Sequence, residues 1–169
     1  MPRLKTILEN RLRDAQKIAV LGIGSELRAD DAVGMVIAKG LKSYIKDKKK
    51  GQRNSLKVFL GHTAPENLTG EVNKFKPTHL IIIDAVDFHQ QAGATGVIDT
   101  RAEAGISFST HRIPLKIIKD YFYKSVACDT IIIGIQPESV EFCGALSPKI
   151  QESVRVVSKE LREVLKKFV

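Results

Sequence analysis

The chain has 169 residues, of which 43% are hydrophobic and 27% charged, with a formal net charge of +8. That balance excludes a disordered or fibrous chain, and the length fits one domain over residues 1–169 that buries its core without staples. Cys128 and Cys143 are too few for a disulfide framework and lack metal-finger spacing; no apolar run spans a bilayer and Met1–Lys5 carries no signal-peptide core, so a cytoplasmic protein without membrane insertion is expected.

Leu4, Ile7, Leu8 and Leu12 recur at helical spacing and predict a short amphipathic helix over about 3–15. Lys17 to Ile23 reads as a buried strand, and Val33, Val36, Ile37, Leu41 and Ile45 mark a helix from about Asp31 to Lys46. After a polar loop from Lys48 to Ser55, Leu56 to Leu60 form a second strand. Thr63-Ala64-Pro65-Glu66 has the form of a capping box, predicting a helix to about Phe75. Leu80 to Asp84 is a third strand, apolar until its last residue, and Gly96 to Thr100 suit a short edge strand. Pro114 opens a helix to about Lys124, and Thr130 to Ile135 form another apolar strand. Ser147-Pro148 reads as an N-cap and first helical residue, after which Ile150, Val154, Val157, Leu161, Leu165 and Phe168 give a long amphipathic helix. Strands alternate with helices, and continuous apolar strands are those covered on both faces. The expected fold is α/β: a three-layer α/β/α sandwich around a mainly parallel sheet, with one edge strand antiparallel.

The positive charge invites nucleic acid, but its placement argues against it. Lys46-Asp47-Lys48-Lys49-Lys50-Gly51 lies where a helix ends, and Arg155, Lys159, Arg162 and Lys166 follow one polar helix face with no aromatic residues interleaved for stacking. These are read as solvated faces, with an acidic protein surface as the other candidate partner. Cys128 is expected buried before a strand and Cys143 in a loop.

Chemistry concentrates in Gly22-Ile23-Gly24-Ser25-Glu26-Leu27-Arg28-Ala29-Asp30-Asp31. The two glycines suggest a nucleotide loop, but Leu27 stands where the dinucleotide fingerprint has its third glycine, and no Gly-Lys-Ser/Thr exists. Glu26, Asp30 and Asp31 would repel phosphate; they suit a cation, or else simply favour a helix N-terminus. Asp84 closes an apolar strand, where an acid is costly to bury without a partner or serves as a cap. Asp87 reads as a solvated loop residue. His111, just before a predicted helix, is the best-placed histidine; His79 reads as structural. Ends of strands one and three share a rim of a parallel sheet, so Asp31, Asp84 and His111 can converge as a set suited to nickel, zinc or manganese.

In this arrangement the chain resembles the NiFe-hydrogenase maturation endopeptidases over nearly its whole length. The resemblance is carried by Gly24-Ser25-Glu26-Leu27-Arg28-Ala29-Asp30-Asp31-Ala32-Val33-Gly34, His62-Thr63-Ala64-Pro65-Glu66-Asn67, Ile83-Asp84-Ala85-Val86-Asp87, Thr110-His111-Arg112-Ile113-Pro114-Leu115 and Gly134-Ile135-Gln136-Pro137. The Asp-Asp pair and Gly-Ile-Gln-Pro are similar to the branch that processes formate-hydrogenlyase-type hydrogenases. Ser25 departs from the family's usual Asn and is expected to keep a loop hydrogen bond.

The resemblance implies an aspartic-type endopeptidase that removes the C-terminal extension from the nickel-loaded precursor of a hydrogenase large subunit. It implies metal binding at Asp31, Asp84 and His111, with Asp31 or Asp84 as the catalytic carboxylate. Gly24, Ser25, Gly34, Gly61 and Thr110 are the implied substrate-binding positions. The nickel would be delivered by the substrate, another divalent cation occupying the site in isolated protein. The partner is the precursor, with no nucleic acid, and a monomer is expected. The competing readings are a nucleotide-binding oxidoreductase module and a non-catalytic nickel- or hydrogenase-binding chaperone.

Overall fold

The computed structural model describes residues 3–48, 55–98, 108–109 and 115–169. In chain order these form α1 (Leu4–Arg11), β1 (Ile18–Ile23), a 3-10 turn (Ala29–Ala32) running into α2 (Val33–Lys48), and β2 (Leu56–His62). A second 3-10 turn (Pro65–Leu68) leads into α3 (Thr69–Phe75), followed by β3 (His79–Asp87), β4 (Thr95–Val97) and β5 (Phe108–Ser109). α4 (Leu115–Val126), β6 (Asp129–Ile135), α5 (Pro148–Leu165) and a last 3-10 turn (Lys166–Phe168) complete the order.

The sheet runs β2-β1-β3-β6-β4. β1 pairs in parallel with both β2 and β3, β3 with β6 in parallel, and β4 closes the far edge antiparallel to β6. This is the expected mainly parallel sheet with one antiparallel edge. Alternation along each strand sends side chains to two cores. On one face Ile18, Val20, Ile81 and Ile83 pack under α1, α2 and α5 through Leu8, Ile37, Leu41, Val157 and Leu161. On the other, Leu21, Phe59, Leu80 and Ile82 meet Val72 and Phe75 of α3 and Ile118 and Phe122 of α4. The chain leaves β1 for β2 on one side, then returns to β3 on the other. That reversal opens a crevice beyond the carboxyl ends of β1 and β3, where open α/β sheets place their ligands.

Glycines let α2 lie unusually close to this crevice. A side chain at Gly34 would meet the Ile83 carbonyl oxygen at 2.2 Å and that of Ile23 at 2.3 Å, and one at Gly22 would meet the Ala38 Cβ at 2.5 Å. The first turn of α2 therefore rests directly on the ends of β1 and β3.

Several local expectations are corrected. The expected capping box at Thr63 does not form: Ala64 holds the N-cap position without a side-chain bond, Pro65 starts a 3-10 turn, and the Thr69 hydroxyl donates to the Glu66 carbonyl at 2.6 Å. Asp84 is not the last residue of its strand. β3 continues to Asp87 because Asp84 and Ala85 still pair with Gly134 and Ile135, while Val86 and Asp87 pair with Ser109 and Phe108 of the short, unforeseen β5. α1 ends at Arg11, short of the expected limit. Cys128 is buried and Cys143 exposed, as expected; burial pushes the Cys128 thiol pKa up. Arg155, Lys159 and Arg162 are exposed on the polar face of α5, and Lys166 is exposed in the 3-10 turn that follows it.

Candidate active site

The loop after β1 settles what the two glycines do. Gly24, at φ +141°, would drive any side chain to 1.9 Å from the Asp31 carbonyl oxygen, so the turn back towards Asp31 requires glycine. The Gly24 N–H donates to the His62 carbonyl at 2.9 Å, and the Ser25 N–H donates to the Asp31 carboxylate (Oδ2) at 2.8 Å. Further along, the Leu27 N–H reaches the Ser25 hydroxyl at 3.4 Å, the Arg28 N–H the Ser25 carbonyl, the Asp30 N–H the Ser139 carbonyl, and the Asp31 N–H the Arg28 carbonyl. A phosphate loop must aim such donors at its ligand. Here the protein's own acceptors take them, one being a carboxylate. The loop presents an acid, and Ser25 keeps its expected hydrogen bond.

The three acids of this loop diverge. A 3-10 turn advances about 120° per residue, so adjacent Asp30 and Asp31 cannot face the same way. Asp31 is 2% exposed and turns back to the Ser25 amide. Asp30 is fully buried and faces the loop before α5. One of its oxygens accepts from the Glu138 and Ser139 amides (both 2.9 Å) and the Ser147 hydroxyl (3.1 Å), and the other from the Ser147 amide (2.7 Å). Asp30 is thus committed to structure, which corrects its grouping with cation-binding carboxylates. Glu26 is tied to Lys39 and lies 3.9 Å from His62.

Asp84, fully buried, sits on β3 opposite Gly134, so no neighbouring side chain crowds it from β6. Alternation puts it on the same face as Leu80, Ile82 and Val86, the face that α4 covers. Its peptide follows Ile83, whose carbonyl is pressed against Gly34 at the start of α2. The close packing of α2 therefore brings the turn holding Asp31 onto the strand holding Asp84. The two buried carboxylates thus belong to adjoining segments, the turn after β1 and the strand β3.

His111 and Thr110 lie outside the described residues. The chain before them is placed, since Ser109 pairs with Val86, two residues beyond Asp84. Among the described residues no three His, Cys, Asp or Glu side chains gather closely enough to hold a metal ion. Of the other implied substrate contacts, Gly34 and Gly61 serve packing. At Gly61 the space for a side chain is closed by the Gly22 carbonyl oxygen and the Leu21 methyl, both at 3.0 Å.

The Gly-Ile-Gln-Pro segment supplies an organiser that the sequence did not single out. Gln136, 8% exposed, accepts through Oε1 from the Phe88 amide at 2.9 Å and the Gln90 amide at 3.2 Å, and donates through Nε2 to Asp87. Asp87 is exposed, as expected, but it is the last residue of β3 rather than a loop residue. The His89 amide, then Gln136, hold its carboxyl pKa below the usual value. His79 is structural, with Nδ1 3.0 Å from the Thr78 hydroxyl.

Comparison with known proteins agrees with this architecture. A family model described as hydrogenase maturation protease matches residues 35–164, beginning just past Asp31. A Methanocaldococcus jannaschii protein described as a hydrogenase maturation protease is 34% identical over 163 residues, 96% of this chain and 94% of its own. The hydrogenase 3 maturation protease of Escherichia coli is 27% identical over 84% of this chain and 86% of its own. The crystal structure of a NiFe-hydrogenase maturation protease from Thermococcus kodakarensis superposes with a TM-score of 0.79 at 28% identity, covering 95% of this chain and 99% of that one. The family model spans most of the chain and a relative above 30% identity spans nearly all of it, so this chain belongs to the hydrogenase maturation protease family and is a peptidase.

Proposed function

We propose that this protein cleaves the C-terminal extension from the nickel-loaded precursor of a NiFe-hydrogenase large subunit. The observation carrying this reading is that Asp31, in the turn after β1, and Asp84, on β3, are both buried carboxylates on the two strands that flank the switch point. Two acids there, in a chain of this family, suit metal-guided peptide hydrolysis. Nickel belongs to the substrate: it arrives in the precursor, and Asp31, Asp84 and His111 complete a coordination sphere that neither protein supplies alone. Recognition is thereby conditional on nickel having been inserted. A carboxylate, Asp31 or Asp84, then serves as general base to the attacking water. The peptide is held in register beside it, against the backbone of Gly24 and Ser25 and the segment at Thr110. In isolated protein another divalent cation can take the same three ligands. The aspartic-type assignment, the cytoplasmic setting and a monomeric enzyme are parts of the same proposal.

The structure weighs against the nucleotide-binding alternative, because the amides that would cradle a phosphate are already bonded to the protein. Absence of thermal stabilisation by NAD, FAD or ATP is the matching expectation. The decisive experiment is single-turnover mass spectrometry of a nickel-loaded precursor. Wild-type protein should shorten it once, while Asp31→Asn, Asp84→Asn and His111→Ala should leave its mass unchanged despite native circular dichroism. Wild-type rates in any one of these variants would overturn its assignment, and unchanged mass with the wild-type enzyme would leave a binding protein.

A further inference from the structure

We propose that the outer edge of β2 is a docking slot for an extended peptide segment that alternates acidic and apolar side chains. This goes beyond the cleavage reaction and does not depend on it. Among the described residues β2 pairs only with β1. The Ile18 amide donates to the Ser55 carbonyl at 2.8 Å, and Ile18 lies opposite Leu56. In a parallel ladder that parity turns Lys57 and Phe59 towards β1, and leaves the N–H and C=O groups of Leu56, Val58 and Leu60 directed at the outer edge.

This edge is recessed. A groove of about 740 Å³ follows Leu56 to Leu60, walled on one side by α2 and on the other by Leu68 and Glu71. Edge strands are commonly protected by a lysine on the strand itself, and Lys57 meets that description. Protection does not require a groove, nor the second set of charges that lines it. Lys39, Lys42 and Lys46 recur at i, i+3 and i+7 along one exposed stripe of α2.

The two walls differ, which specifies the occupant. Leu56 and Val58 face the α2 side of the sheet, and Phe59 the α3 side. A strand added to β2 sends alternate side chains to the same two sides. On one side they meet the lysine stripe, where Lys42 and Lys46 call for Asp or Glu while Lys39 is already bonded to Glu26. On the other they meet Leu68, over a floor where Phe59 is buried beneath the Lys57 ammonium, with Glu71 alongside. A second copy of this chain is disfavoured, because two β2 edges paired about a twofold axis would confront the same lysines. The groove ends at Lys39, which is bonded to Glu26 of the site loop, so a segment seated there runs towards the crevice.

The test uses the full-length protein and a fluorescein-labelled acetyl-Glu-Val-Glu-Val-Glu-Val-amide. Saturable binding is expected, weakening as salt rises. Methylating the peptide nitrogens at alternate positions should weaken it by about 10-fold or more, since the added strand loses its donors. The variant Lys42→Glu/Lys46→Glu should weaken it by roughly 10-fold while leaving the distant crevice untouched. A Lys-Val analogue should not bind. If the double variant fails to fold, the methylated peptide still decides the matter on wild-type protein. The proposal is overturned by no saturable binding, by equal binding of the methylated peptide, by unchanged binding to a folded double variant, or by a dimer in sedimentation that the peptide disperses.

Discussion

Asp30 and Ser147 stand 117 positions apart and are joined by two hydrogen bonds, from the Ser147 amide and from its hydroxyl. Ser147 is the N-cap of α5, so its hydroxyl would ordinarily be expected on its own helix; instead it donates to the carboxylate of Asp30 in the turn before α2. The same carboxylate takes the Glu138 and Ser139 amides. Neighbouring Asp31 looks the other way, to the Ser25 amide. One acid fastens the loop before α5, and the next belongs to the crevice.

That division separates the effects of mutating two adjacent residues. Asp30→Ala strands three amides and a hydroxyl around a fully buried position, and should cost about 3 kcal/mol, lowering Tm by roughly 6–12 °C in a protein of this size. Asp31→Asn should change Tm by only a few degrees while abolishing processing. Thermal unfolding of both, with the precursor assay alongside, checks the pair; a stable Asp30→Ala protein would contradict the role assigned to Asp30.

Gly34 and Gly70 provide a second contrast. A methyl at Gly34 overlaps two strand carbonyl oxygens, so Gly34→Ala should destabilise by about 3 kcal/mol and separate the Asp31 turn from β3. Activity should fall further than stability explains, because the two carboxylates depend on that approach. Gly70, inside α3, has nothing within 4 Å of its would-be Cβ. Gly70→Ala should stabilise by about 0.5–1 kcal/mol. Urea unfolding of both variants reads these signs directly.

Much of this arrangement is legible in the sequence. Continuous apolar strands interrupted by helical periods dictate a covered parallel sheet, and that sheet puts the ends of β1 and β3 on one rim. Asp31 is therefore nameable from its position after the first strand, and Asp84 from its place at the close of an apolar run, although β3 itself continues to Asp87. What stayed hidden depends on direction and on distant pairing. Composition cannot tell which of two adjacent aspartates faces the crevice, though the geometry of a 3-10 turn requires that they differ. The bonds from Gln136 to the segment after β3 join residues 46–49 positions apart, and no local pattern announces them. The capping box at Thr63 failed because Pro65, two positions on, started its own turn. β5 escaped notice because two residues are too short for any period.

The anchored end of β3 makes an acid-sensitive element. Asp87 accepts the His89 amide at 3.0 Å and the Gln136 side chain at 3.2 Å, and these bonds favour its charged form. Because the folded pKa is depressed below the unfolded value, the stabilisation is fully present above the ordinary carboxylate range and is lost as pH falls through the folded pKa. Asp87→Asn should therefore be less stable than wild type near neutrality, with the difference shrinking in acid. In wild-type protein the His89 amide resonance should titrate with a midpoint below that of an unstructured aspartate, and in Asp87→Asn that acid transition should vanish. Gln136→Leu should raise the Asp87 midpoint and release the Phe88 and Gln90 amides together, since one side-chain oxygen accepts both. Faster hydrogen exchange at those two amides, with core amides of β1 and β6 unchanged, would mark Gln136 as the residue that sets the path of the chain leaving β3. Uniformly faster exchange across the sheet would instead assign it to global stability.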